Sequence, residues 1–325
     1  MYKDILEYVG PEAARVNDMI SSSLRSDIDL LSRANESVLG GGGKHIRPIM
    51  ALLVAKACSG GFVTEDTIRF ATASELLHNA TLLHDDVVDN SPVRRGRPTV
   101  MNLMGSRASV LLGDFWLVRA LDRILQSRSN TDTVLRLFSK TLSDLAEGEM
   151  LQLQKASQGD TTEQDYLRII YSKTASLFET AALSAAISVG ASPERKKAIR
   201  SYAVNVGNAF QVKDDIMDYI GGEATGKPAG QDLLEGKITL PLLGAFKACP
   251  EREAKVRSSV GQIAEHPELR AEVVDFVKDN GGFDYAERRL GEYVDMAVIA
   301  LKTLPAGPAR EHLADLARFT SERKV

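Results

Sequence analysis

An all-α protein is what this sequence predicts, and three observations carry that reading. Apolar residues recur at three- to five-residue intervals through long stretches. No segment alternates with period two among β-branched residues, and the one Asn-Gly, Asn280-Gly281, has no such alternating segment beside it. Aromatics are only 6% of the chain, so Ala and Leu must fill most of the core.

The elements follow in order. Residues 1–10 carry Lys3, Asp4 and Glu7 and no apolar stretch, so no signal peptide is expected. No apolar run approaches the ~18 residues that span a bilayer, which excludes a transmembrane segment and points to the cytoplasm. Breaks at 40–43 and 59–61 precede a helix over 68–83, where Ile68, Ala71, Leu76, Ala80 and Leu83 set the period. Connections at 90–98 and 157–161 follow, then helices over 175–187 and 199–210, a loop at 221–236, a break at 280–282 and a helix over 285–301. None of the breaks is a long Ser/Gly/Pro tract and no solenoid period recurs, so 1–325 reads as a single domain.

The formal net charge is −4, and Lys and Arg are interspersed with Asp and Glu, which argues against nucleic-acid binding. Cys58 and Cys249 make no CxxC or metal-type spacing and read as buried thiols of a reducing compartment.

Asp-Asp occurs twice, and each time it opens DDxxD: Asp85, Asp86, Asp89 and Asp214, Asp215, Asp218. On a helix, residues four apart share a face, so each motif stacks like charges, at a cost of about 0.2–0.5 kcal/mol per pair in an isolated helix. The flanks are apolar, which raises that cost, and something cationic must offset it. Hard carboxylate oxygens suit Mg²⁺, which takes one or two carboxylates with phosphate oxygens and waters. A single such triplet is as readily a solvated charged face, but two in apolar settings are not. Neither cluster has the loop Gly and terminal Glu of an EF-hand. Replacing Asp85 or Asp214 by Ala is expected to lower turnover by several orders of magnitude while stability stays equal or rises, because repulsion is relieved.

His78 lies two turns before Asp85 on nearly the same face, and Gln211 lies on the stripe of Asp214 and Asp218. Basic residues form the counterpart: Lys44 and Arg47 after the glycine run, Arg94, Arg95 and Arg97 after the first motif, Lys173 beside Thr174, and Lys227 and Lys237 around a Gly-containing loop. Arg offers a planar fork to phosphate oxygens and Lys a point charge. GGEATGKP, at 221–228, resembles a P-loop but has Pro228 where Ser or Thr would bind Mg²⁺, so a nucleotide kinase is excluded.

Together these residues resemble the trans-isoprenyl diphosphate synthase, or polyprenyl synthetase, family. The resemblance runs from GGGKHIRP, at 41, to the tail LKTLPAGPAREHLADLARF. It rests most on LLHNATLLHDDVVDNSPVRRGRPT at 76–99, VLLGDF at 110–115, FQVKDDIMDY at 210–219 and KPAGQDLLEGKITLP at 227–241. It implies the isoprenoid synthase fold, a single large bundle of antiparallel helices around a deep central cavity, usually as a homodimer. It also implies Mg²⁺-dependent addition of isopentenyl diphosphate to an allylic diphosphate such as farnesyl diphosphate. Asp85, Asp89 and Asp214 would hold Mg²⁺ against the allylic diphosphate, with Asp86, Asp215 and Asp218 completing two metal-binding walls. Arg94, Lys173, Thr174, Gln211, Lys227 and Lys237 would grip the allylic diphosphate. Lys44, Arg47, His78 and Arg95 would bind isopentenyl diphosphate. His45 departs from the family, where Arg or Lys is common.

A terpene cyclase of the same fold usually needs one DDxxD and a different second motif, and a non-catalytic partner subunit loses both. A ferritin-like di-metal oxidase would need two Glu-x-x-His motifs, and the sequence has one, Glu75 with His78. Ala80 stands five residues before Asp85, about 7 Å deeper along a helix. In the family, short-chain enzymes often place an aromatic there, so Ala80 implies a long product, heptaprenyl, octaprenyl or longer. A geranylgeranyl product is the alternative.

Overall fold

The computed structural model describes residues 1–94, 96–221 and 230–323. Arg95 and Lys227, two of the expected diphosphate ligands, lie outside them. The described residues are helices and connections apart from one two-residue ladder, and the chain divides into two compact units.

The first unit comprises Met1–Ser139, Thr180–Arg200 and Leu301–Leu316. It opens with α1 (Tyr2–Tyr8), α2 (Gly10–Ser23), α3 (Asp29–Leu39), α4 (Ile46–Ser59) and α5 (Glu65–Val88). The Thr64 side chain accepts from the Thr67 backbone N–H at 3.0 Å, and Thr67 returns the bond at 3.1 Å, so two orphan donors at the start of α5 are satisfied. Ile68, Phe70, Ala73, Leu76, Leu77 and Leu83 are all buried along α5. A helix apolar nearly all round is a buried one, which is why the charges at its far end sit in an apolar setting.

The connection at 90–98 folds as an antiparallel ladder of β1 (Val93–Arg94) on β2 (Arg97–Pro98). No strand is expected from the sequence there, because two residues per strand carry no alternation to read. After α6 (Val100–Met104), α7 (Ser106–Leu125) runs along α5. Ser109 Oγ donates to the Leu83 carbonyl at 2.8 Å, and Trp116 Nε1 donates to Asn35 of α3 at 2.8 Å.

The second unit comprises Lys140–Glu179, Ser201–Ala300 and Ala317–Val325. α8 (Thr131–Gln158), α10 (Ser176–Ser188) and α11 (Pro193–Ile220) each contribute residues to both units, and α9 (Glu163–Ile170) lies within the second. Between α9 and α10 the chain makes one π-helical turn, Tyr171–Ala175. Then come α12 (Gln231–Leu234), α13 (Leu240–Ala248), α14 (Glu253–Gln262), α15 (Leu269–Asp279), α16 (Gly282–Ala300) and α17 (Pro308–Glu322). α16 packs on α13, and Tyr285 of α16 donates to Glu163 at 2.9 Å while accepting from Lys247 at 2.7 Å. The helix expected over 199–210 is the middle of α11, which continues through the second aspartate motif. Among the described residues no helix is long and apolar enough to cross a membrane.

Candidate active site

The first motif closes α5. Asp85 and Asp86 lie in its last turn and Asp89 caps it. The Asp89 N–H donates to the Asp85 carbonyl at 2.8 Å, so the four-residue stacking persists at the helix end. Burial separates the three: Asp86 is buried, Asp85 half-buried and Asp89 exposed. Arg94 Nε donates to Asp86 Oδ1 at 2.7 Å, so the small ladder aims a cation back at the motif. Beside this pair is a cavity of about 70 Å³ lined by Gly41, Gly42, Asn79, Asp86, Arg94 and Arg97 among others.

The expected isopentenyl ligands of this unit lie on the loop before α4 and on α4 and α5. Lys44 is exposed, Arg47 is 9% exposed in the first turn of α4, and His78 is half-buried on α5. The Tyr2 hydroxyl donates to the Lys44 carbonyl. His45 caps α4 in the left-handed region, φ 46°, with Nδ1 3.3 Å from Oε1 of buried Glu75. Within VLLGDF, Asp114 Oδ1 and the Val110 carbonyl each lie 3.3 Å from Nε2 of His84, the neighbour of Asp85. Ala80 is 1% exposed.

In the second unit, α11 carries Gln211 and the second motif. Asp215 is buried, and Asp214 and Asp218 are half-buried. Tyr166 Oη of α9 donates to Asp215 Oδ2 at 2.6 Å, and Gln211 Nε2 donates to Oδ1 at 2.8 Å. Burial first, and then the charge of Asp232, push the Asp215 carboxyl above its ordinary range, with the bonds from Tyr166 and Gln211 opposing. Burial also pushes the Tyr166 hydroxyl well up, so it remains a donor. Asp218 accepts the Gln231 and Asp232 N–H groups at 3.2 and 3.1 Å, fixing the start of α12. Thr174 Oγ1 donates to Gln211 Oε1 at 2.6 Å, which orients the amide toward Asp215. A cavity of about 140 Å³ is lined here by Tyr166, Lys173, Gln211, Asp215, Asp232 and Lys237 among others.

The cations required to offset the aspartates are inside the protein. Arg94 serves the first motif, and Arg323 Nη2 donates to Asp214 Oδ1 at 2.7 Å in the second. This overturns one expectation: Asp214→Ala would strand a guanidinium only 7% exposed, so stability should fall rather than hold or rise. The lysines are likewise partnered by acids, Lys173 with Glu149 and Lys237 with Glu235.

Among the described residues no three His, Cys, Asp or Glu side chains form a cage for a metal ion. Mg²⁺ needs no such cage, because it arrives with phosphate oxygens and waters. Asp85, Asp89 and Asp214, the last 38% exposed, fit that mode. Buried Asp86 and Asp215 are held from behind, and both Asp218 oxygens serve α12.

Sequence reasoning missed Tyr166, Glu149, Asp232 and Arg323, whose partners are remote in the chain. It also missed two helical glycines. A Cβ on Gly148 would stand 2.6 Å from Ser172 Cβ, and one on Gly207 2.5 Å from Ala175 Cα, so α8 and α11 approach the π-turn closely from their own sides. An isolated Gly inside a helical pattern was the available signal.

The family profile described as polyprenyl synthetase matches residues 28–277. The chain is 40% identical over 321 residues to the octaprenyl diphosphate synthase of Escherichia coli (strain K12), covering 98% of each. It is 40% identical over 323 residues to the geranyl-diphosphate-specific all-trans-nonaprenyl-diphosphate synthase of Rhodobacter capsulatus, covering 99% of this chain and 98% of that one. A polyprenyl synthase from Caulobacter crescentus CB15, solved with calcium and isoprenyl diphosphate, superposes with a TM-score of 0.91 at 34% identity, over 100% of this chain and 98% of that one.

Proposed function

The chain belongs to the polyprenyl synthetase family, and from that premise we propose how it works as a long-chain trans-polyprenyl diphosphate synthase. It is a prenyltransferase with the all-α isoprenoid synthase fold. It condenses isopentenyl diphosphate stepwise onto an allylic diphosphate. In each step the allylic carbon–oxygen bond breaks, a carbon–carbon bond forms, and a proton leaves.

One observation carries the site assignment. Each DDxxD motif keeps carboxylate at accessible positions and is backed by a buried aspartate held by the protein. Asp85, Asp89 and Asp214 are the residues that would hold Mg²⁺, and the Caulobacter crescentus protein, solved with calcium and isoprenyl diphosphate, supports a divalent ion in this role. Mg²⁺ supplies electrostatic stabilisation of the charge that develops on the leaving diphosphate. Asp86, Asp215 and Asp218 complete the motifs by fixing Arg94, Gln211 and α12. Lys173, Thr174, Gln211, Lys237, Arg94 and Lys227 bind the allylic diphosphate. Lys173 and Lys237 exchange Glu149 and Glu235 for phosphate oxygens as they do so. Lys44, Arg47, His78 and Arg95 hold isopentenyl diphosphate in place for attack. Among the described residues no side chain is an obvious base, and the departing diphosphate takes the proton.

Ala80 keeps the chain-elongation path open for a product of heptaprenyl length or longer. The whole chain acts as one catalytic domain, and the family match runs through segments of both units. Two copies pair through α7, where Leu111, Val118 and Leu125 are exposed at seven-residue spacing on one face. Cys58 and Cys249 are unpaired and buried, as a reducing cytoplasm maintains.

The test is incorporation of labelled isopentenyl diphosphate by the purified protein with farnesyl diphosphate, with and without Mg²⁺. Mg²⁺-dependent incorporation that Lys173→Ala impairs through the allylic KM, and His78→Ala through the isopentenyl KM, supports the two-site reading. Equal weakening of both substrates in both variants contradicts it.

A further inference from the structure

We propose that Arg323 is a positioning residue of the second aspartate motif, fixing the Asp214 carboxylate for divalent-cation binding. The inference rests on reading Asp214 as a metal-holding residue. Arg323 follows α17 and is held from three directions. Its Nη2 donates to the Phe210 carbonyl at 2.8 Å and to Asp214 Oδ1 at 2.7 Å. Its guanidinium also lies 3.6 Å from the centroid of the Phe210 ring. Its own N–H donates to the Phe319 carbonyl at 3.1 Å, which continues the α17 ladder.

Phe210 and Asp214 are one turn apart on α11, so the same guanidinium grips the turn at its ring, its carbonyl and its carboxylate. A cation needed only to neutralise a half-exposed carboxylate requires none of this. A planar group stacked on a ring and bonded to a backbone carbonyl cannot follow a wandering side chain, so the carboxylate is set by the arginine. Arg323 Nε is buried with no hydrogen-bond partner among the described residues, a cost that a purely stabilising contact would not carry. Setting the carboxylate matters because Mg²⁺ demands near-ideal octahedral geometry.

Positioning and neutralisation predict opposite signs. A positive charge beside a metal-binding carboxylate opposes the cation by simple Coulomb repulsion. Removing a mere counter-ion therefore tightens Mg²⁺ binding, whereas removing a positioning group loosens it.

The experiment titrates Mg²⁺ calorimetrically into metal-free protein in the presence of inorganic diphosphate. It compares wild type, Arg323→Lys and Arg323→Ala, and measures the KM for isopentenyl diphosphate alongside. Arg323→Ala is expected to bind Mg²⁺ roughly ten- to a hundredfold more weakly, the usual effect of losing a group that orients a metal ligand. Arg323→Lys, which keeps the charge but not the planar fork, is expected to recover part of the loss, with the isopentenyl KM unchanged. Equal or tighter Mg²⁺ binding by Arg323→Ala overturns the proposal. Should that variant fail to fold, Arg323→Lys decides: weaker Mg²⁺ binding at an unchanged isopentenyl KM supports positioning, and wild-type binding overturns it. Wild-type protein that binds no Mg²⁺ with diphosphate refutes the functional reading itself, and this inference with it.

Discussion

Aspartates of one chemistry do different work within each DDxxD motif, and burial is what separates them. Asp214 is half-exposed and paired with buried Arg323. Asp214→Ala is therefore expected to lower turnover about a thousandfold or more, by loss of charge stabilisation at the leaving diphosphate. It should also lower the melting temperature, by about 1–3 kcal/mol of stability, less than a fully buried pair would cost. Asp85→Ala should lose turnover similarly at equal or higher stability, because the four-residue repulsion with Asp89 is relieved. Scanning calorimetry of the two variants checks the contrast, and equal stability changes would contradict it. Asp215 makes a second, pH-dependent case. Its folded-state carboxyl is raised, by burial first and by Asp232 second, so the folded protein binds that proton more tightly than the unfolded chain. The contribution is fully present below the ordinary aspartate pKa and is lost as pH rises through the raised value. Metal-free protein should lose melting temperature between about pH 5 and about pH 9, and Asp215→Asn should flatten that slope. A wild-type slope in the Asn variant would assign the pH dependence elsewhere.

The π-turn at Tyr171–Ala175 carries Lys173 and Thr174, so the proposed allylic grip depends on it. A π-turn inside helical sequence is rare and recurs at functional sites. Here Gly207 lets the α11 backbone pass close to Ala175. Gly207→Ala must push backbone rather than a flexible side-chain tip, so it should cost about 1–3 kcal/mol. It should also raise the allylic KM more than the isopentenyl KM. Unchanged values for both substrates would remove the π-turn from the account. How far such elements could be read beforehand depends on the range of the interaction. The helix at 68–83 was legible because its own apolar period declares it, and α5 contains it. The aspartate motifs were legible because a spacing of four is local. The partners were not: Tyr166 reaches Asp215 across 49 positions and Arg323 reaches Asp214 across 109, and no local pattern encodes such a meeting. The π-turn was equally silent, because its sequence YSKTA has no feature that separates one extra residue per turn from an ordinary helix. The β1–β2 ladder was too short to alternate.

At the scale of the molecule, the exposed α7 stripe and the product length remain to be measured together. Burying Leu111, Val118 and Leu125 against a second copy removes apolar surface from water on both chains, which is the driving force for an isologous dimer. Val118→Asp should place a charge in that contact and shift light-scattering mass toward the monomer. A monomeric wild type would contradict the α7 assignment. Ala80 sits deep in α5, where close packing cannot absorb added bulk without cost. Ala80→Phe should thus stop growth near farnesyl or geranylgeranyl length while condensation continues. The most direct test of the whole account is the mass spectrum of products made by purified wild-type protein from farnesyl diphosphate, isopentenyl diphosphate and Mg²⁺. The account predicts a polyprenyl diphosphate of heptaprenyl length or longer that Ala80→Phe shortens. Wild-type product that stops at geranylgeranyl diphosphate, or an unchanged spectrum in Ala80→Phe, would contradict it.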